Sequence, residues 1–237
     1  MYNFTFNIPT KIHFGKDTIS NLSELKAYGS KVLLVYGGGS IKKNGLYDTA
    51  MKILKDAGLT VFELSGVEPN PKIETVRKGV EICKNEGIDM VLAIGGGSTI
   101  DCSKVVAAGA KYDGDAWDLV LDGSKVKAAL PIFDVLTLSA TGTEMDPFAV
   151  ISDMSKNEKW GTGSPYMVPT MSILNPEYTF SVSKKQTAAG TADMMSHTME
   201  NYFSMENADC QKFMAEGLLL SLIHISEPTR RTPLSYA

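Results

Sequence analysis

Two stretches of the chain end an apolar run in three glycines and a serine: Val32 to Ser40 reads VLLVYGGGS, and Val91 to Lys104 reads VLAIGGGSTIDCSK. That order has a chemical use. A buried strand ending in glycines lets main-chain N–H groups approach an anion closely, and the helix that follows points its positive end at the same place. Diphosphate is the guest such a loop suits. GGGS alone also occurs in ordinary turns, where glycine only supplies positive φ. Two copies roughly one βαβα unit apart are what neighbouring strands of a parallel sheet present at one edge. Neither copy has the G-x-G-x-x-G spacing of the Rossmann fingerprint.

A second kind of chemistry is suggested by TAAGTADMMSH, where Asp193 and His197 stand four apart. On a helix they project from one face about one turn apart and can share a divalent ion. The same spacing also suits an Asp–His hydrogen bond that orients an imidazole. Two donors are not yet a site. His13 falls in an N-terminal strand-like segment and His224 near the end of the chain, so neither is a natural third ligand.

Positioning these residues requires a parallel sheet. Strand-like runs at 31–36, 60–64, 88–94 and 132–138 alternate with helical patterns, the rhythm of an α/β fold. One helix is explicit, with Ile73, Val76, Val80 and Cys83 on one face after the turn Glu68-Pro69-Asn70-Pro71. From about 147 to 180 the pattern shortens into strand or loop pieces marked by proline and glycine. After Ser181 it is helical without strands. The expected organisation is therefore an α/β dinucleotide-binding domain over 1–180 and the beginning of an all-helical domain over 181–219.

The last stretch, 220–237 (LSLIHISEPTRRTPLSYA), interrupts the preceding helical pattern with two prolines and a basic cluster. It resembles a translated sequencing adapter and is expected to be a non-native tail, the native part ending near Leu219.

The chain has 237 residues and a formal net charge of −4, with Lys and Arg spread along it rather than gathered in a stripe. That argues against a nucleic-acid surface. The apolar runs are too short for a membrane span and the N-terminus lacks a signal-peptide core, so a cytoplasmic location is expected. Cys83, Cys102 and Cys210 have no C-x-x-C spacing and fit reduced thiols.

Taken together, FNIPTKIHFGK, YGGGSIKKNG, SGVEPNP, AIGGGSTIDCSK, LTLSATGTEMD and TAAGTADMMSHTMENYF, in that order, make the chain similar to the N-terminal half of an iron-containing (group III) alcohol dehydrogenase of the NAD(P)H-dependent butanol dehydrogenase type. The resemblance covers essentially all of 1–219. It implies an α/β dinucleotide-binding domain followed by an all-helical domain, with cofactor and metal in the cleft between them. Carried over by position, Gly37, Gly38, Gly39 and Ser40 would line the adenosine end of the cofactor. Gly95, Gly96, Gly97 and Ser98 would hold the diphosphate, with Asp101 in the next helical turn. Thr137, Thr141, Lys159 and Tyr178 would also contact the cofactor. Asp193 and His197 match two of the family's four metal ligands, one aspartate and three histidines, and would act in catalysis through the metal.

What the resemblance implies of activity is hydride transfer between NAD(P)H and a small primary alcohol or aldehyde such as butanol or butanal, with Fe²⁺ or Zn²⁺ and with a homodimer as the assembly. The chain is then an incomplete fragment, expected to be inactive by itself. The alternatives are a dehydroquinate synthase-like lyase and a catalytically inactive dinucleotide-binding fragment. For the cofactor, Lys31 to Tyr36 runs straight into the glycines with Lys42 and Lys43 nearby. No carboxylate is visible at that edge in the sequence, and NADP is expected, because an acidic side chain there would repel its 2′-phosphate.

Overall fold

Six short apolar runs pair side by side, all parallel, in the order β1-β8-β5-β4-β2-β3. They are β1 (Lys11–Phe14), β2 (Lys31–Tyr36), β3 (Thr60–Leu64), β4 (Met90–Gly95), β5 (Ile132–Leu136) and β8 (Met171–Leu174). The computed structural model describes residues 3, 5, 7–205 and 208–226. The central strands β4 and β5 are buried at every position, as the absence of in–out alternation in MVLAIG and IFDVL requires of strands covered on both faces.

Successive side chains of a strand leave opposite faces, so the sheet supports two cores. On one face Leu33, Val35, Val91 and Ile132 meet α3 (Ile73–Glu86), α4 (Gly97–Gly109) and α5 (Ala116–Leu121). On the other, Val32, Leu34, Leu92 and Phe133 meet the 3₁₀ segment Thr18–Tyr28 and α2 (Leu46–Asp56), which follows the single turn α1 (Ser40–Lys43). The expected face of α3 is the buried one: Ile73, Val76, Val80 and Cys83. Gly79 lies among them because helix packing leaves no room for more. A Cβ there would stand 2.7 Å from Val106 and 2.8 Å from Leu64.

The hairpin of β6 (Phe148–Asp153) and β7 (Glu158–Gly163) forms a separate antiparallel pair, part of the shortened pattern expected over 147–180. Two helices follow, α6 (Lys184–Tyr202) and α7 (Asp209–Ser226), joined by a Tyr202 hydroxyl donating to Glu216 at 3.0 Å. The chain forms two compact units: everything to Leu138 together with Gly142–Phe180, and Ser139–Thr141 together with the chain from Ser181. In the second unit α6 lies close against Ser139 and Ala140, which a Cβ on Gly190 would approach at 3.2 and 3.4 Å.

The proposed tail divides at Ser226. Residues 220–226 extend α7, because LSLIHIS contains neither proline nor glycine to stop a helix already running from Asp209. The remainder of that stretch lies outside the described residues.

Candidate functional site

The second glycine run sits at the seam between β4 and α4. Gly95 is the last residue of the strand and Gly96 the residue before the helix. Side chains are excluded at both: a Cβ on Gly95 would lie 2.5 Å from the Thr99 hydroxyl, and one on Gly96 would lie 3.2 Å from Leu138. The Gly96 carbonyl accepts from Thr99 and Ile100, which starts α4. The main-chain N–H groups of Gly97 and Ser98 in the opening turn have no acceptor among the described residues. Two unsatisfied donors at the positive end of a 13-residue helix are able to receive an anion.

The first glycine run ends β2, one strand away, since Tyr36 pairs with Ile94 in register. Gly39 adopts φ 98° and starts α1, so a side chain there would be strained. Gly38 and Gly39 have open space where a Cβ would stand, whereas one on Gly37 would come 3.1 Å from the Val67 carbonyl. Both loops therefore emerge at the carboxyl edge of adjacent parallel strands, where open α/β sheets bind ligands.

Three chain-distant residues converge beside the second loop. The Lys159 ammonium donates to the Asn70 side-chain carbonyl at 2.7 Å, and the Asn70 main-chain N–H donates to the Ser98 hydroxyl at 3.3 Å. Asn70 has φ 55°, a left-handed conformation that asparagine tolerates better than most residues. Sequence reasoning read Asn70 only as part of a proline turn. Its pairing with Lys159, 89 residues away, has no local signal.

Thr137 lies just beyond β5 and its N–H donates to the Gly95 carbonyl at 2.9 Å. Tyr178 is half-buried against the core of the α2 face, and burial pushes its hydroxyl pKa up. Thr141 belongs to the second unit. Asp101 turns inward. Its carboxylate accepts from the Thr143 hydroxyl at 2.6 Å and the Val150 N–H at 3.0 Å, so both oxygens are engaged within the chain. It fixes the segment leading into β6.

Lys104, one turn further along α4, is fully buried. Its ammonium lies 2.8 Å from each of four acceptors: the Thr143 hydroxyl, the Asp146 carbonyl, the Asp146 carboxylate and the Phe148 carbonyl. Three protons among four oxygens leave the cation well compensated. Thr143 accepts from Lys104 and donates to Asp101, so one hydroxyl bridges cation and anion. The helix that presents those donors is thereby fastened to residues 143–150.

The expectation that no carboxylate stands at the first loop is corrected by β3. Glu63 is on that neighbouring strand, opposite Leu34 in register and on the same face as Tyr36. It accepts from the hydroxyls of Tyr36 at 2.6 Å and Tyr47 at 2.8 Å. The Tyr36 hydroxyl, assisted by that of Tyr47, holds its carboxyl below the usual range. Lys42 lies 4.9 and 4.5 Å from the centroids of the two tyrosine rings, a cation–π contact with each. Reading along β2 alone could not find a residue contributed by β3.

Asp193 and His197 both lie on α6, with Nε2 of His197 3.7 Å from Oδ1 of Asp193 and both side chains about half exposed. Two donors each about 2.0–2.2 Å from a tetrahedral ion stand about 3.4 Å apart. The pair fits one ion with little adjustment, and neither side chain has another side-chain partner among the described residues. No group of three or more His, Cys, Asp or Glu placed to hold an ion occurs among the described residues.

The family model for iron-containing alcohol dehydrogenases matches residues 9–176. The chain is 60% identical over 225 residues to NADH-dependent butanol dehydrogenase A of Clostridium acetobutylicum, a match covering 94% of this chain and 58% of that protein. It is 39% identical to the NADPH-dependent aldehyde reductase YqhD of Escherichia coli, over all of this chain and 62% of the relative. The crystal structure of NADH-dependent butanol dehydrogenase A from Thermotoga maritima superposes with a TM-score of 0.92 at 46% identity, covering 95% of this chain and 57% of that one. The chain thus spans somewhat under two thirds of the length of these relatives.

Proposed function

The chain belongs to the iron-containing alcohol dehydrogenase family, and from that membership we propose that it supplies the dinucleotide site and two of the metal ligands of an oxidoreductase. The reaction proposed for the whole protein is hydride transfer between NAD(P)H and a small primary alcohol or aldehyde such as butanol or butanal. The observation that carries this reading is the pair of glycine loops at one sheet edge, with free Gly97 and Ser98 amides in the second.

In this reading the Gly97 and Ser98 N–H groups bind the cofactor diphosphate, and the short approach permitted by Gly95 and Gly96 keeps it against the strand end. Asn70 holds the Lys159 cation beside Ser98, where it adds positive charge. Gly37 to Ser40 receive the adenosine end. Asp193 and His197 would hold a divalent ion, which supplies Lewis-acid polarisation of a carbonyl oxygen.

Metal binding has a direct test in the whole protein. His197→Ala is expected to lower metal content and turnover together, read by metal analysis beside NADH oxidation with butanal. Full metal occupancy with lost turnover would give His197 a different role.

The cofactor proposal is revised toward NADH. Glu63 stands at the edge where a carboxylate was expected to be missing, accepting from Tyr36 and Tyr47 beside Lys42. Four relatives of 53–60% identity carry names that specify NADH. Expected kinetics of the whole protein give a higher kcat/KM for NADH than for NADPH. The reverse order would restore the earlier expectation.

A further inference from the structure

A second buried polar centre lies in the sheet, two residues in register before the second glycine run. Asp134 occupies the middle of β5 and is fully buried in the otherwise apolar run IFDVL. Its register neighbours are Ala93 on β4 and Ser172 on β8. Its Oδ2 lies 2.6 Å from the Ser172 hydroxyl oxygen, and that same oxygen lies 2.7 Å from the main-chain carbonyl of Glu144.

Proton counting decides what these contacts are. A serine hydroxyl has one proton, and a carbonyl oxygen can only accept. If Ser172 donates to Glu144, the 2.6 Å contact to Asp134 has a proton only if Asp134 supplies it. If Ser172 donates to Asp134 instead, two proton-free oxygens meet at 2.7 Å. A single serine proton would have to be split between two acceptors, whereas a second proton, for which the carboxyl of Asp134 is the source, gives each contact its own. The other oxygen agrees, since Oδ1 is buried without a hydrogen-bond partner. For the carbonyl of a neutral acid that is tolerable; for a carboxylate sharing its charge it would be costly.

Three charged or polar groups face Asp134. Burial raises its pKa well above the ordinary value and the Glu144 carboxylate acts in the same direction, while the Lys104 cation opposes them; a Ser172 hydroxyl donating to the carboxylate would oppose them too, whereas one accepting from the acid does not. Glu144 is itself pushed up by burial, which weakens it as a source of negative charge at lower pH.

We propose that Asp134 is a positioning residue held as a neutral carboxylic acid, donating to Ser172, which donates to Glu144, so that one proton inside the sheet latches the segment Thr143–Phe148. Lys104 holds the same segment from the helix side through Thr143, Asp146 and Phe148. The segment is thus tied down twice, once by the Lys104 ammonium and once by a proton that can leave. Nothing in this inference depends on which cofactor or substrate the protein takes.

The linkage sign follows from the raised pKa. The folded state keeps a proton that the unfolded chain has lost, so stability falls as pH rises from the unfolded carboxyl pKa, about 3.9, to the folded value, and is level above it. Asp134→Asn keeps a donor toward Ser172 and cannot ionise.

The test is infrared spectroscopy on the protein at neutral pH, with and without carboxyl-¹³C aspartate. A buried-acid carbonyl band that shifts on labelling and is missing in Asp134→Asn is expected, together with a flatter stability–pH profile in the variant. Amide protection over 143–148, after correction for the base catalysis of exchange itself, should fall at high pH in the wild type and not in the variant. Ser172→Ala is the second arm: it keeps the acid but removes its acceptor, so the band should persist and move to higher frequency. A wild-type protein with no isotope-sensitive acid band, or an Asp134→Asn profile with the wild-type slope, would overturn the proposal.

Discussion

Lys104→Met is expected to lower the unfolding free energy by about 3 kcal/mol, toward the lower end of the cost of breaking a buried ion pair because Asp146 retains some access to water. The methionine fills most of the space of the lysine stem, so the loss is electrostatic rather than a cavity. Four oxygens that converge on one nitrogen would lose their common donor, and Asp101 would lose the cation that Thr143 relays to it. Arginine should not restore stability, since a planar fork cannot place one nitrogen at the centre of that cage. Urea denaturation of the wild type and both variants measures this. A Lys104→Met midpoint within error of the wild type would mean the cage contributes nothing.

The polypeptide 1–237 on its own is expected to bind NADH weakly and to show turnover of butanal lower than that of the whole protein by a factor on the order of 10³ or more. The reason is the ligand set. Asp193 and His197 are two donors where a stable site takes about four, and the described residues offer no third. An ion held by two half-exposed side chains exchanges readily with solvent, so adding Fe²⁺ or Zn²⁺ should not restore activity. NADH fluorescence titration and NADH oxidation with butanal separate binding from turnover. Turnover matching the whole protein would show that two ligands suffice, whereas failure to bind NADH would count against the reading of the glycine loops.

Much of the frame was legible because it rests on local patterns. The unbroken apolar runs before each GGGS mark strands buried on both faces, and the period of Ile73, Val76, Val80 and Cys83 marks the helix packed against them. What escaped was made by contacts between distant segments. Glu63 reaches the first loop only because β3 lies beside β2, and Asn70 matters only because Lys159 folds over to it. The family resemblance puts Asp101 beside the cofactor. Its partners, Thr143 and Val150, come from 42 and 49 residues away, and nothing in GGGSTIDCSK points to them.

The edge of the sheet sets a constraint on how the chain is made. Strand β1 has one partner, β8, and Lys11 sits opposite Met171, so about 160 residues must follow β1 before its partner exists. At about 5–20 residues per second, ribosomal synthesis leaves that first strand unpaired for roughly 10–30 s. The pairs β2 with β3 and β2 with β4 close over much shorter loops and can assemble meanwhile. During that interval the charge of Lys11 and the polar ring of His13 oppose foreign pairing at an open strand edge, a task KIHF has in the nascent chain before it has one in the finished fold.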